Sequence, residues 1–167
     1  MTSLQGERVL LRPLREEDTD ELAAIFAVPE IADAWPGDNL GRLRSRVQDD
    51  DVVGLVVELG GRTIGFIQYY EESDPNYRHG GIDVVLHPDW CGRGLGTDAV
   101  RTLARHLLDD RGHHRVVIDP RATNLRAIAS YRKVGFKDVG VMRQYELGND
   151  GLWHDGLLMD LLRDDLS

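Results

Sequence analysis

A chain of 167 residues, 41% hydrophobic and 29% charged, has the length and make-up of one globular domain with a substantial core. Its 20 Lys and Arg against 29 Asp and Glu leave a formal charge of −9, which disfavours a nucleic-acid binder and gives a surface suited to solubility or to drawing in polycations. No apolar run approaches a membrane span, residues 1–7 do not form a signal peptide, and the single Cys91 excludes an intrachain disulfide and a cysteine-based zinc site, so a cytoplasmic protein with no metal and no membrane partner is expected.

Residues 8–12 read as a first strand ended by Pro13. Residues 16–27 form an amphipathic helix with Leu22, Ile25 and Phe26 inward, and 39–48 a weaker one. Val52 to Leu59 is a strand, Gly60-Gly61 a two-residue hairpin turn, and the partner strand runs from Arg62 to about Glu71. Residues 80–87 are the next strand and 97–110 a long helix that His113-His114 helps to close. Residues 115–119 are a short β-branched strand, 124–134 a helix, and about 136–145 and 152–161 two final strands.

The segment between the strand at 80–87 and the long helix, Trp90-Cys91-Gly92-Arg93-Gly94-Leu95-Gly96-Thr97, carries most of the information. Glycines at every second position bare the backbone N–H groups where a helix begins, and the helix dipole adds partial positive charge there, a combination that suits a phosphate. No lysine follows Gly96, which excludes a Walker loop. The Gly-x-Gly-x-Gly spacing departs from the dinucleotide fingerprint, although Asp119 lies 23 residues beyond Gly96 and leaves that reading weakened only. Downstream, Thr123 or Asn124 makes a good N-cap and Gly135 a good helix stop. Asn124, Ala127 and Tyr131 share one helix face, an amide and a phenol separated by a small residue, fit to flank a thin polar ligand, while Leu125, Ile128 and Ala129 are expected to pack inward.

On these two motifs the chain resembles the GCN5-related N-acetyltransferase (GNAT) superfamily. The segment Cys91–Gly96 is similar to its acetyl-CoA loop, with Cys91 where Gln or Arg is usual, and Asn124 to Phe136 carries its Asn-x-x-Ala-x-x-x-Tyr-x-x-x-Gly-Phe signature without a gap. The element order matches as well. The resemblance implies an α/β (α+β) fold: one domain, a mixed and mostly antiparallel sheet of about seven strands, helices on both faces, and a parallel pair, here 80–87 and 115–119, that splays to admit the cofactor. It implies acetyl-CoA held by Val84, Val85, Gly92, Arg93, Gly94, Leu95, Gly96, Thr97, Asn124, Ala127 and Tyr131. In direct acetyl transfer to an amine, a backbone N–H near Val84 or Val85 would face the oxyanion and the Tyr131 phenol would serve the leaving thiolate. Asp83, a carboxylate interrupting an apolar strand, would take the amine proton or anchor the ammonium.

Within the superfamily, Glu72-Ser73-Asp74-Pro75, Gly81-Ile82-Asp83, Asp119-Pro120 and Asn124-Leu125-Arg126-Ala127-Ile128 resemble the aminoglycoside 6'-N-acetyltransferase group. That likeness implies a cationic small-molecule acceptor contacted by Asp83 and Asp119, with Trp35, Glu71 and Glu72 as further walls of an acidic, aromatic-lined pocket. Asp119-Pro120 alternatively makes only a turn. The ending Trp153–Met159 is closer to general small-amine or protein N-terminal acetyltransferases, and a non-catalytic acyl-CoA sensor is the alternative of another class. The expected assembly is a monomer or homodimer.

Overall fold

The computed structural model describes residues 2–47 and 51–167. Eight strands form one sheet in the order β1-β2-β3-β4-β5-β6-β8-β7. They are β1 (Leu4–Gln5), β2 (Leu10–Pro13), β3 (Val52–Leu59), β4 (Arg62–Glu72), β5 (His79–Leu86), β6 (Arg115–Ile118), β7 (Lys137–Leu147) and β8 (Trp153–Leu162). The helices are α1 (Thr19–Phe26), α2 (Pro29–Ala34), α3 (Asn39–Arg46), α4 (Leu95–Arg105) and α5 (Leu125–Val134), with α4 prolonged by a π-helical turn, His106–Asp110.

Strand alternation builds two cores. On β3, Leu55 and Val57 face one side and Val56 the other, as the two-residue period of a strand requires. The first side packs against α4 and α5 through Leu95, Ala99, Leu103, Leu107, Ile128 and Val134. The second takes Leu22, Ile25 and Phe26 of α1, Ile31 of α2 and Leu43 of α3 against Val56, Phe66 and Val85. The sheet is thus covered on both faces.

All strand pairs are antiparallel except β5 with β6. That parallel pair is joined only at Gly80–Val116 and Gly81–Val117, after which the strands diverge. From Ile82 onward β5 keeps β4 on one side and, among the described residues, has no strand on the other.

Two elements are additional to those read from the sequence. Strand β1, two residues long, is below the length at which periodicity shows, and makes eight strands rather than about seven. Helix α2 is a six-residue turn started by Pro29. The first long strand begins at Leu10 rather than Arg8 because the backbone N–H groups of Glu7, Arg8 and Val9 all go to the buried carboxylate of Asp98 on α4, at 3.0, 2.8 and 3.0 Å. The expected end of the 39–48 helix at Gln48 lies outside the described residues. On α5, Ile128 is buried as expected, but Leu125 is 73% exposed and Ala129 is exposed too, so neither packs inward. His113 does not cap a helix with its side chain; it is buried and bonded to Glu71.

Asp98 therefore ties the N-terminal segment to the first turn of the helix that follows the glycine loop. Asp98→Ala strands three backbone donors, and a loss of about 3 kcal/mol in unfolding free energy is expected in urea titration. An unchanged midpoint would show that water replaces the carboxylate without cost.

Candidate active site

Two cavities open where β5 and β6 part. The larger, about 620 Å³, lies on the α1–α3 face and is walled by α2, α3, the ends of β5 and β6, and β7. The smaller, about 340 Å³, runs between the glycine loop and α5. They share Ala34, Trp35, Val84, Asn124 and Tyr131, so these residues mark the passage from one to the other.

The smaller cavity is built as the loop sequence requires. Gly94 is the N-cap of α4 with φ 78°, a left-handed conformation that a side chain resists, so the helix starts at the wall of the cleft, where its first N–H groups have no partner within the helix. Gly92, Gly94, Gly96 and Thr97 line the cavity with Val84 and Val85 of β5 and with Asn124, Ala127 and Tyr131 of α5. Asn124 also caps its own helix, its Oδ1 accepting from the N–H of Ala127 at 3.2 Å. Thr97 Oγ1 and Ser130 Oγ lie 2.7 Å apart and tie the loop to α5. Two of the expected loop contacts are placed differently. Arg93 lies outside the lining, its guanidinium 5.1 Å from the Trp90 ring centroid and its carbonyl accepting from Arg8 at 2.7 Å. The Leu95 side chain is buried in the core, as the first inward position of α4, and has only backbone to offer. Arg126, Ser130 and Lys133, which the sequence reading did not single out, follow one face of α5 along this cavity; basic residues spaced by seven beside a glycine loop are the signal that marks them.

The larger cavity gathers Asp83, Asp119, Tyr131 and Trp35 as the sequence suggested. Asp83 sits opposite Gln68 of β4, whose Nε2 donates to Asp83 Oδ2 at 2.9 Å. Burial, reinforced by the charge of Asp119, pushes the Asp83 carboxyl up, with the Gln68 bond opposing. Burial likewise raises Asp119, against the 2.6 Å hydrogen bond that it accepts from Tyr145. Tyr131 is buried and well above the ordinary phenol range because of that burial, with Asp83 and Asp119 adding to the shift. Tyr131 is thus a neutral donor facing two carboxylates.

Glu71 and Glu72 do not line the cavity. The period of β4 sends Phe66, Gln68 and Tyr70 to the cavity face and Tyr69 and Glu71 to the other, where Glu71 binds Arg111 at 2.6 Å and the buried His113. Burial alone would raise Glu71, yet the bonds from Arg111 and His113 hold it below its usual range. Glu72 caps the following turn by accepting from the N–H of Asp74 at 2.9 Å. Tyr70 lies on the same strand face as Gln68, its ring over Gly81, where a Cβ would come within 2.1 Å of the phenol carbon, but it does not line the cavity either. The acidic wall is therefore a mixed one: Asp83, Asp119 and Glu146 share the lining with Arg42, Arg46 and Arg121. Arg121 reaches Asp33 on α2 at 3.1 Å and Glu146 on β7 at 3.3 Å, joining both walls. Tyr145, Gln68 and the arginines arrive through long-range pairing; of these, Gln68 alone carries a local sign, a polar residue inside the apolar run of β4. Among the described residues no group of three or more His, Cys, Asp or Glu is placed to hold a metal, and no helix is long and apolar enough to cross a membrane.

A carboxyl whose folded pKa lies above its unfolded value binds more protons when folded, so its ionisation costs stability above that pKa and the cost vanishes as pH falls through it. Asp83→Asn, which keeps an oxygen for Gln68, is accordingly expected to raise the melting temperature at neutral pH, with the gain shrinking toward acid pH. A lower melting temperature at neutral pH would show that the charge is stabilising.

The arrangement has counterparts. The chain matches the acetyltransferase (GNAT) domain model over residues 8–137. It is 31% identical over 158 residues to the aminoglycoside N(6')-acetyltransferase type 1 of Klebsiella pneumoniae, covering 82% of this chain and 78% of that protein. It superposes on AAC(6')-Ib in complex with paromomycin and acetyl-CoA with a TM-score of 0.77 at 29% identity, over 95% of this chain and 96% of that one. Mycobacterium smegmatis RimJ in complex with CoA-disulfide has the same fold, with a TM-score of 0.85 at 22% identity over 98% and 88%.

Proposed function

Because the chain belongs to the GNAT family of acetyltransferases, we propose that it transfers an acetyl group from acetyl-CoA to a primary amine of a cationic small molecule, the 6'-amine of an aminoglycoside foremost. The observation that carries this reading is the shared wall of the two cavities. Tyr131 and Val84 border both, so a thioester entering from the glycine-loop side and an amine entering from the Asp83–Asp119 side meet there.

The chain's residues divide the work. Acetyl-CoA, as the second substrate, fits the smaller cavity through its phosphates, which the N–H groups of the Gly92–Thr97 loop and the Arg126 and Lys133 side chains are suited to hold. Asp83 anchors the ammonium and takes its proton; a carboxyl raised by burial is a better base near neutral pH than an exposed one. Asp119, held by Tyr145, supplies a second carboxylate to the same acceptor. The amine nitrogen attacks the thioester carbonyl, and an N–H of Val84 or Val85 on the unpaired edge of β5 meets the oxyanion. Tyr131 then hydrogen-bonds or protonates the departing thiolate. Trp35, 5.3 Å from the Phe26 ring centroid in an edge contact, gives the acceptor an apolar wall at the junction.

A thiol-release assay with acetyl-CoA across aminoglycosides with and without a free 6'-amine, polyamines and N-terminal peptides tests the acceptor. Turnover confined to 6'-amino aminoglycosides is expected; peptide-only turnover would reject the aminoglycoside, and none at all would leave a binding protein. Tyr131→Phe is expected to lower kcat about a hundredfold while changing the calorimetric Kd for acetyl-CoA by less than about threefold. Equal kcat in the two proteins would remove Tyr131 from the chemistry.

A further inference from the structure

Asp83 does not set its own direction. Gln68 stands across from it in the β4–β5 register and lines the same cavity. The amide makes two contacts of opposite polarity: Nε2 donates to Asp83 Oδ2 at 2.9 Å, and Oε1 accepts from Arg46 Nε of α3 at 3.3 Å.

These contacts admit one orientation. A guanidinium offers donors alone, so it selects the amide oxygen, and the NH2 is thereby turned to the carboxylate. Rotating the amide by half a turn would set donor against donor at Arg46 and acceptor against acceptor at Asp83. A donor aimed at Oδ2 favours the carboxylate over the acid and leaves Oδ1 for an acceptor amine. Of the other groups that act on Asp83, Arg46 also favours the carboxylate directly through its charge, but less than the Gln68 bond does. Asp119 at the end of β6 opposes the charge of Asp83, and Tyr70 on β4, Tyr131 on α5 and Tyr145 on β7 are phenols that stay neutral beside it.

We infer that Gln68 is a positioning residue for the transfer: it couples the Arg46 guanidinium to Asp83 and aims that carboxylate, one oxygen bonded and the other presented to the acceptor amine. The inference rests on Asp83 acting on the amine side of the proposed reaction. Gln68 itself need not touch either substrate.

The test is kcat/KM against pH, with whichever amine the wild type acetylates, for Gln68→Leu, Gln68→Glu, Asp83→Asn and the double variant Gln68→Leu/Asp83→Asn. Gln68→Leu is expected to lower kcat/KM roughly tenfold at neutral pH, to move the acid limb up by about one pH unit, and to recover toward alkaline pH. Gln68→Glu keeps the shape and the Arg46 contact but turns acceptors toward Asp83, so its limb moves at least as far; it carries the test if the leucine variant fails to fold in a thermal scan. In the Asp83→Asn background, adding Gln68→Leu should cost less than about twofold, because the residue acts through the carboxylate that is gone. A loss equal at every pH and additive with Asp83→Asn would mark a structural role and overturn the inference, as would no loss. Turnover with an unmoved acid limb leaves the proposed reaction standing and removes Gln68 from it. Absence of wild-type turnover with any amine overturns the reaction and this inference with it.

Discussion

Two residue pairs, Gly80 with Val116 and Gly81 with Val117, hold β5 to β6, and the site depends on how soon that pairing stops. A parallel pair carried further would close the sheet and satisfy the backbone of Ile82 to Leu86. Instead that backbone keeps one partner, β4, and the opening is lined on one face by the glycine loop and α5, on the other by α2, α3 and β7. The helices on both faces keep the parted sheet rigid: α4 and α5 bury one side and α1 to α3 the other, so the gap is held by two cores rather than by its own rim.

The electrostatics follow from the same gap. Two carboxylates, Asp83 and Asp119, are placed at its mouth in surroundings that raise both, and each is given one neutral hydrogen-bond donor, Gln68 or Tyr145, rather than a direct ion pair. A half-buried carboxylate opposed by a neighbouring carboxylate, with Arg46 only partly offsetting this at Asp83, is costly to the folded state and useful to a reaction that must accept an amine and its proton. By contrast Glu71, one strand face away, is bound by Arg111 and His113 and serves the packing of the chain. The difference between the two kinds of carboxylate is which face of a strand each occupies.

Local signals in the sequence were sufficient for much of this. The hairpin at Gly60-Gly61, the glycine loop, and the Asn124 cap with its Gly135 stop each depend on backbone chemistry within a few residues, and the structure has them at those positions. The identity of the cavity face of β4 does not: moving the alternation by one residue exchanges Tyr70 for Glu71, and the aspect that decides it is the pairing with β5 and the packing of Tyr69 against the α4 side. Tyr145 and Arg121 were out of reach for a stronger reason. Tyr145 is delivered by an irregular stretch of β7, where Gln144 has φ 51° and its N–H is bonded to Asp155, and its partner Asp119 is 26 residues away. Arg121 bridges α2 and β7, segments that meet only in the folded chain.

The most direct test of the parted strands as the meeting place of both substrates is a crystal structure with an unreactive thioether analogue of acetyl-CoA. The account predicts phosphates on the N–H groups of residues 92–97, the sulfur within hydrogen-bond reach of Tyr131 Oη, and the carbonyl turned to the Val84–Val85 edge. An analogue bound elsewhere, or one whose sulfur lies beyond contact with Tyr131 while β5 and β6 stay apart, would contradict it.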